Sequence, residues 1–266
     1  MKVFQLKTLP NNYMYFNKLK FLIFAIFLFP TILNSADSDY KLVKENWPFD
    51  GFFGRFDYSS IQRGLQVYRE VCAGCHGLKY VSYRDLSTIG YDDEEIKSIA
   101  SEYEIIDGPN DEGEMFERFA KPSDKFVGPY ENDQVARLSN NGAYPPDLSL
   151  ITKARKGGAN YIYNLLNGYK EPPKNYEIGD GMYYNLVYPG NQIAMPTPIY
   201  DDSVEYSDGT VASQDQIIRD VTSFLVWAAE PELEKRKSLG IKVLSFLILI
   251  TLMLLAVKRK IWKDIE

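Results

Sequence analysis

The stretch EVCAGCHGLK, Glu70 to Lys79, constrains this 266-residue chain more than any other. It holds both cysteines, Cys72 and Cys75, and the one histidine, His76. Two thiols at Cys-x-x-Cys spacing serve as half of a zinc site, as a dithiol redox pair, or as anchors for a covalently attached haem. A structural zinc takes four ligands from Cys and His, and the chain offers three, too closely packed to surround a tetrahedral ion. A thioredoxin-type pair belongs to a βαβ pattern and has no use for a histidine after its second cysteine. No such pattern surrounds this segment. Cys-x-x-Cys-His is the spacing of haem c attachment, in which both sulfurs add to vinyl groups and the adjacent imidazole is left to bind iron. A motif this short needs context.

The context begins at the N-terminus. Residues 1–20 carry Lys2, Lys7, Lys18 and Lys20 and no acid, and the apolar run Phe21 to Leu33 follows, then NSAD with Ala36 as the last residue before a cleavage point. This reads as a secretory signal over residues 1–36. Thirteen apolar residues interrupted by Pro30 are short for a membrane span. Haem c is attached on the outer side of energy-transducing membranes, so address and motif agree.

A second apolar run, Leu239 to Val257, is broken only by Lys242. Nineteen residues at helical rise are about enough to cross the hydrocarbon core, and Lys242 lies near enough to one end to snorkel. Basic residues flank both ends, so the positive-inside count hardly decides orientation. The signal decides it: residues 37–238 form one exported, periplasmic-side domain, residues 239–257 a transmembrane helix, and residues 258–266 a short cytoplasmic-side tail.

The exported body carries 34 acidic residues against 21 basic ones, about 13 units negative. Nucleic acid is excluded as a partner, because phosphate binding wants the opposite sign. A basic protein partner fits, drawn by long-range steering. The acids gather in Glu102 to Glu114 and in Asp201 to Asp208.

Coarse periodicity places the motif on a helix. Ser59-x-x-Gln62 reads as a capping box, and Ile61, Leu65, Tyr68, Val71, Cys72 and Cys75 recur at helical spacing, which predicts that both cysteines face the interior. Ser213-x-x-Gln216 announces a second helix that ends at Glu230-Pro231. Pro231 then opens a third helix, which runs into the membrane span. The remainder is rich in proline and glycine, without an alternating strand series.

With His76 on one side of the iron, the other axial position falls to a methionine, whose thioether favours ferrous iron. Outside the signal and the span the candidates are Met115, Met182 and Met195. Met195 stands apart in IAMPTPI, where Pro196 and Pro198 stiffen the loop.

Four blocks together, RGLQVYREVCAGCHGLKYVSYRDL, ARLSNNGAYPPDLSLITKARKGGANYIYNLLNGYKEPP, YYNLVYPGNQIAMPTPIY and DVTSFLVWAAEPELEKRKSLGIKVL, closely resemble cytochrome c1, the haem-bearing subunit family of the bc1 complex. The likeness runs from about Trp47 to the C-terminus, with Asp92 to Asp124 fitting only loosely. It implies a mainly α, class I c-type cytochrome-like haem domain with long loops, plus one C-terminal transmembrane helix. It also implies one haem c attached through Cys72 and Cys75, His76 and Met195 as axial ligands, and Arg137 beside a haem propionate. The implied partners are a cytochrome b subunit, a Rieske iron-sulfur subunit, a basic cytochrome c acceptor and the lipid bilayer. Two rivals remain at this point: an anchored monohaem cytochrome c of a terminal oxidase, and an anchored thiol oxidoreductase.

Overall fold

A computed structural model describes residues 40–263, so the expected signal and the end of the tail lie outside the described residues. The first helix, α1 (Tyr58–Val67), starts at Asp57, whose carboxylate accepts a hydrogen bond from the backbone N–H of Ser60 at 3.3 Å. The cap is therefore Asp57 rather than the expected Ser59. An aspartate there satisfies an otherwise orphaned donor and sets a negative charge at the positive end of the helix dipole.

α1 does not continue as an α-helix to the motif. It passes into a π-turn, Tyr68–Cys72, closed by Ala73 N–H donating to Tyr68 O at 2.7 Å. Inserting this wider turn changes the angular phase of everything after it.

A 3-10 helix follows at Tyr83–Ile89, then α2 (Asp93–Ala100), started by the reciprocal Asp92 and Glu95 capping box. The loosely matching region then forms a hairpin of β1 (Glu104–Asp107) and β2 (Phe116–Phe119), paired antiparallel with Glu104 opposite Phe119. Arg118 clasps it to the next segment through Asp107 and Asp124. Next come α3 (Asp133–Ser139), α4 (Ile151–Ala154) and α5 (Ala159–Asn167). A minimal pair, β3 (Tyr183–Tyr184) and β4 (Gln192–Ile193), precedes α6 (Gln214–Ala229). The described body is mainly helical, its sheet confined to these two hairpins.

Sequence reading located α6 well. Ser213 caps it, accepting from Gln216 N–H at 3.3 Å, and Glu230 closes it. Pro231 sits in the connecting turn instead of opening the last helix, which starts after Glu232 as α7 (Leu233–Trp262). Thirty residues at 1.5 Å give about 45 Å, against a hydrocarbon core of about 30 Å. α7 contains the expected span and is long and apolar enough to cross a membrane: its most apolar 18-residue stretch has a mean hydropathy of 2.5, and none of that stretch is buried by the rest of the chain.

The body is organised around the crossing of α1 and α6. Ile61, Leu65 and Tyr68 pack with Ile217, Val221, Phe224 and Trp227 in one core. Gly64 sits at the closest point: a Cβ there would lie 2.1 Å from Asp220 O and 2.6 Å from Phe224 Cβ. The crossing also buries a charge. Asp220 is fully buried and accepts from Ser60 Oγ at 2.7 Å, Arg63 Nε at 2.8 Å and Gln216 Nε2 at 3.1 Å. These bonds offset the large cost of removing a carboxylate from water. Trp227 Nε1 donates to Thr88 Oγ1 at 2.9 Å, tying the 3-10 helix to the same pair.

Gly64→Ala should force α1 and α6 apart. Overpacking of this kind costs about 1–3 kcal/mol, read as a lowered thermal midpoint of the purified protein, and an unchanged midpoint would refute the close crossing.

Candidate functional site

The π-turn delivers the motif to the edge of the core. Cys75 N–H and His76 N–H both donate to Cys72 O, at 3.1 and 2.9 Å, so the five motif residues fold into one tight turn. Cys72 is half-buried and packs against the core, and burial pushes its thiol up to about 12. Cys75 is exposed. The expectation that both cysteines face the interior therefore holds only for Cys72. An unbroken helix would have carried Cys75 to the same face, and the π-turn with the turn after it rotates it out.

His76 is held from two sides. Tyr68 Oη donates to the His76 carbonyl at 2.9 Å, and burial raises the Tyr68 phenol above its ordinary value, keeping it protonated as a donor. The imidazole Nδ1 lies 2.7 Å from Pro146 O. A carbonyl can only accept, so Nδ1 carries the proton and Nε2 keeps its lone pair. Burial lowers the imidazole below its ordinary value, despite the raising effects of Pro146 O and Asp147. The ring is thus neutral at physiological pH, the state in which a histidine binds metal.

The segment that presents Pro146 is fastened alongside. Leu148 N–H donates to Gly77 O at 2.9 Å. The Asp147 carboxylate accepts from Lys79 N–H at 2.9 Å and Ser149 N–H at 3.0 Å, and Ser149 Oγ accepts from Tyr80 N–H at 3.1 Å. Gly77 permits this approach, since a Cβ there would lie 3.3 Å from the Asp147 carboxylate.

Met195 lies partly buried in a loop, its carbonyl accepting from Tyr169 Oη at 3.0 Å. Met182 is also partly buried, whereas Met115 is 60% exposed beside β2. Arg137, on α3, is exposed. Its Nη1 donates to Gly142 O at 3.2 Å and its guanidinium lies 5.4 Å from the Tyr144 ring centroid. Among the described residues, no three His, Cys, Asp or Glu side chains gather as a metal cluster. The available donor set is two unpaired thiols on one turn, one imidazole nitrogen and thioethers. This set fits haem c.

Comparison with known proteins agrees. The Cytochrome C1 family matches residues 47–265. The chain belongs to the cytochrome c1 family. It is 48% identical to "Cytochrome c1 1, heme protein, mitochondrial" of Arabidopsis thaliana over 240 residues, covering 90% of this chain and 78% of that one. It is 47% identical to cytochrome c1 of Rhodospirillum rubrum, covering 85% and 89%. To the "Cytochrome b-c1 complex catalytic subunit, mitochondrial" of Candida albicans it is 49% identical, covering 83% and 77%.

Within this member of the cytochrome c1 family, sequence reasoning missed Pro146, Asp147, Tyr68 and Tyr169. Asp147 and Pro146 lie about seventy positions from the motif, beyond any periodicity. The one available signal was the Pro-Pro-Asp run, which rigidifies a segment whose carbonyls must then be used elsewhere.

The two acidic segments both border the element leading to the motif. Arg69, in the π-turn, pairs with Glu102. Arg63 pairs with Asp208 at 2.9 Å, and Gln66 Nε2 donates to Glu205 O at 2.9 Å.

Asp147→Ala should leave the buried Ser149 N–H without its acceptor, at a cost of about 1–3 kcal/mol. Amide hydrogen exchange should accelerate at Ser149 and Lys79 while α6 stays protected. Equal protection in the variant would remove Asp147 from its fastening role.

Proposed function

We propose that this chain is the electron-transfer subunit of a ubiquinol:cytochrome c oxidoreductase, relaying electrons from a Rieske iron-sulfur subunit to a soluble or tethered cytochrome c. When bound, haem c supplies a reversible ferric/ferrous couple, and the protein's part is binding, orientation and electrostatics. The observation that carries the reading is the His76 imidazole, neutral and committed at Nδ1 to Pro146 O, which leaves Nε2 for iron.

The remaining roles follow from the same donor set. Cys72 and Cys75 would anchor the haem covalently through their sulfurs. Hydrogen bonding at Nδ1 orients the His76 ring and raises its basicity toward metal. Met195 would offer its thioether to the iron, its loop stiffened by Pro196 and Pro198 and tied by Tyr169. Arg137 spends one Nη1 donor on Gly142 O, leaving the others for a propionate carboxylate. No bond is made or broken in such a relay.

The same reading puts residues 1–36 in a cleaved signal, the body on the periplasmic or equivalent side of an energy-transducing membrane, α7 across the bilayer beside a cytochrome b subunit, and the tail on the opposite side. The acidic segments bordering α1 and the π-turn support a basic acceptor docking near the motif.

Met195→Leu should keep the cofactor covalently attached while lowering its potential and opening a coordination position. Carbon monoxide should then bind the reduced form. A potential and CO reactivity like wild type, with both altered in Met182→Leu, would transfer the role to Met182.

Neutralising several acids in Asp201 to Asp208 and Glu102 to Glu114 should slow reduction of a basic cytochrome c at low ionic strength and flatten its salt dependence. A wild-type stopped-flow rate that does not fall as salt rises would leave these acids without a steering role.

A further inference from the structure

Met195 sits in a loop, yet that loop is held on both sides. Downstream, Ile199 is buried and its carbonyl accepts from Gln214 Nε2, at the start of α6, at 3.1 Å. Upstream, the loop issues from β4, and the hairpin of β3 and β4 hangs on Asn185, a side chain with no role assigned above.

Asn185 is fully buried, and a buried amide must find its partners inside the protein. Its Oδ1 accepts from Val187 N–H at 2.9 Å and Tyr188 N–H at 3.2 Å, and its Nδ2 donates to Leu165 O at 2.8 Å. The amide has one possible orientation, since the two N–H groups can only donate and a carbonyl can only accept. Leu165 O lies in the last turn of α5, where carbonyls lack their usual helical partner. One side chain therefore shapes the hairpin and bonds it to the end of a helix. The backbone reinforces the join: Leu186 N–H donates to Gly168 O at 2.9 Å and Asn185 N–H to Asn191 O at 3.0 Å. Asn191 Nδ2 donates to the carbonyls of Asn185 and Leu186, at 3.2 and 3.1 Å. Gly168 permits the contact, because a Cβ there would lie 2.8 Å from Asn185 Oδ1. Tyr169 follows at once. It pairs with Asn185 in an isolated antiparallel bridge, and its Oη donates to Met195 O at 3.0 Å.

We propose that Asn185 is a positioning residue for Met195, fixing the thioether relative to α5, with Tyr169 as its link to the Met195 backbone. A ligand on a loop is only as well placed as the bonds behind it, so loosening this anchor weakens the thioether's hold on iron. The proposal rests on the reading of Met195 as the second axial ligand. The bland alternative is that Asn185 only stabilises the fold, and α5 supplies the control. Asn164, also buried, accepts from Val43 N–H at 3.0 Å and donates to Val43 O at 2.8 Å, so it pins the N-terminal segment instead of the Met195 loop.

The test uses the full-length, haem-loaded protein, read by redox potential, by carbon monoxide affinity of the reduced form and by the weak red absorption of methionine-bound ferric haem. Reduced Asn185→Ala should bind carbon monoxide about tenfold more tightly than wild type, the usual scale for loss of a group behind a metal ligand, with a lower potential and a weakened red band. Tyr169→Phe, which removes one hydroxyl, should move all three in the same direction by less, and it decides the matter if Asn185→Ala does not fold. Asn164→Ala should lower the thermal midpoint while leaving all three at wild-type values. Met195→Leu combined with Asn185→Ala should match Met195→Leu alone, because the two act through one group. Changes in Asn164→Ala equal to those in Asn185→Ala would reduce Asn185 to fold stability and overturn the proposal. So would a further gain in carbon monoxide affinity in the combined variant, which would route the effect through another group such as Met182. Met195→Leu separates the two readings. If it binds carbon monoxide no better than wild type, the axial-ligand reading fails; if it does bind better while Asn185→Ala and Tyr169→Phe stay at wild-type values, the positioning role alone fails.

Discussion

Close approach of α1 to α6 at Gly64 is the constraint on which the site depends. Only a residue without a Cβ fits against the Asp220 carbonyl, and α1 gives way to the π-turn that leads to Cys72 one turn later, at Tyr68. The buried Asp220 strengthens the arrangement, because its partners Ser60 and Arg63 come from α1 and Gln216 from α6 itself. Separating the helices would leave a buried carboxylate short of donors, a state far costlier than the pairing is favourable. The crossing is therefore specific in register as well as close.

From that fixed point the chemistry is set by two departures from regular helix. The π-turn rotates Cys75 to the surface while Cys72 stays against the core. The turn that follows points the His76 ring at Pro146, whose carbonyl chooses the tautomer. Asp147 and Ser149 then knit the two segments together over several backbone N–H groups. An imidazole whose second nitrogen is bound in this way is oriented in advance for whatever its free nitrogen binds.

Much of this was legible in the sequence, and the misses have physical causes. α6 and the apolar helix were found because caps, proline stops and long periodic runs are local signals. The cap of α1 was misplaced by two residues because Asp57, Ser59 and Ser60 are all competent caps, and the choice among them depends on Ser60 Oγ being drawn to Asp220, 160 positions away. The inward Cys75 was a consequence of assuming one period through a π-turn. Pro146 and Asp147 were invisible because they act across about seventy positions. The hairpin of β1 and β2 lies in the region that fits the cytochrome c1 pattern loosely, and its four-residue strands are too short for alternation to stand out. The family itself was readable from four blocks that the family match spans in full.

Acidic segments beside α1, a neutral imidazole at the edge of the core and one long apolar helix belong to a chain of the cytochrome c1 family, whose role is electron transfer. All of it presupposes that the motif turn carries a covalent haem. The direct measurement is a peptide map: cleavage after Arg69 and Lys79 releases Glu70 to Lys79 as a single tryptic peptide. After acid-acetone extraction of the purified protein, mass spectrometry should find that peptide carrying one haem, with neither thiol open to alkylation. Recovery of the peptide without haem, its Cys72 and Cys75 free or joined to each other, would contradict the account.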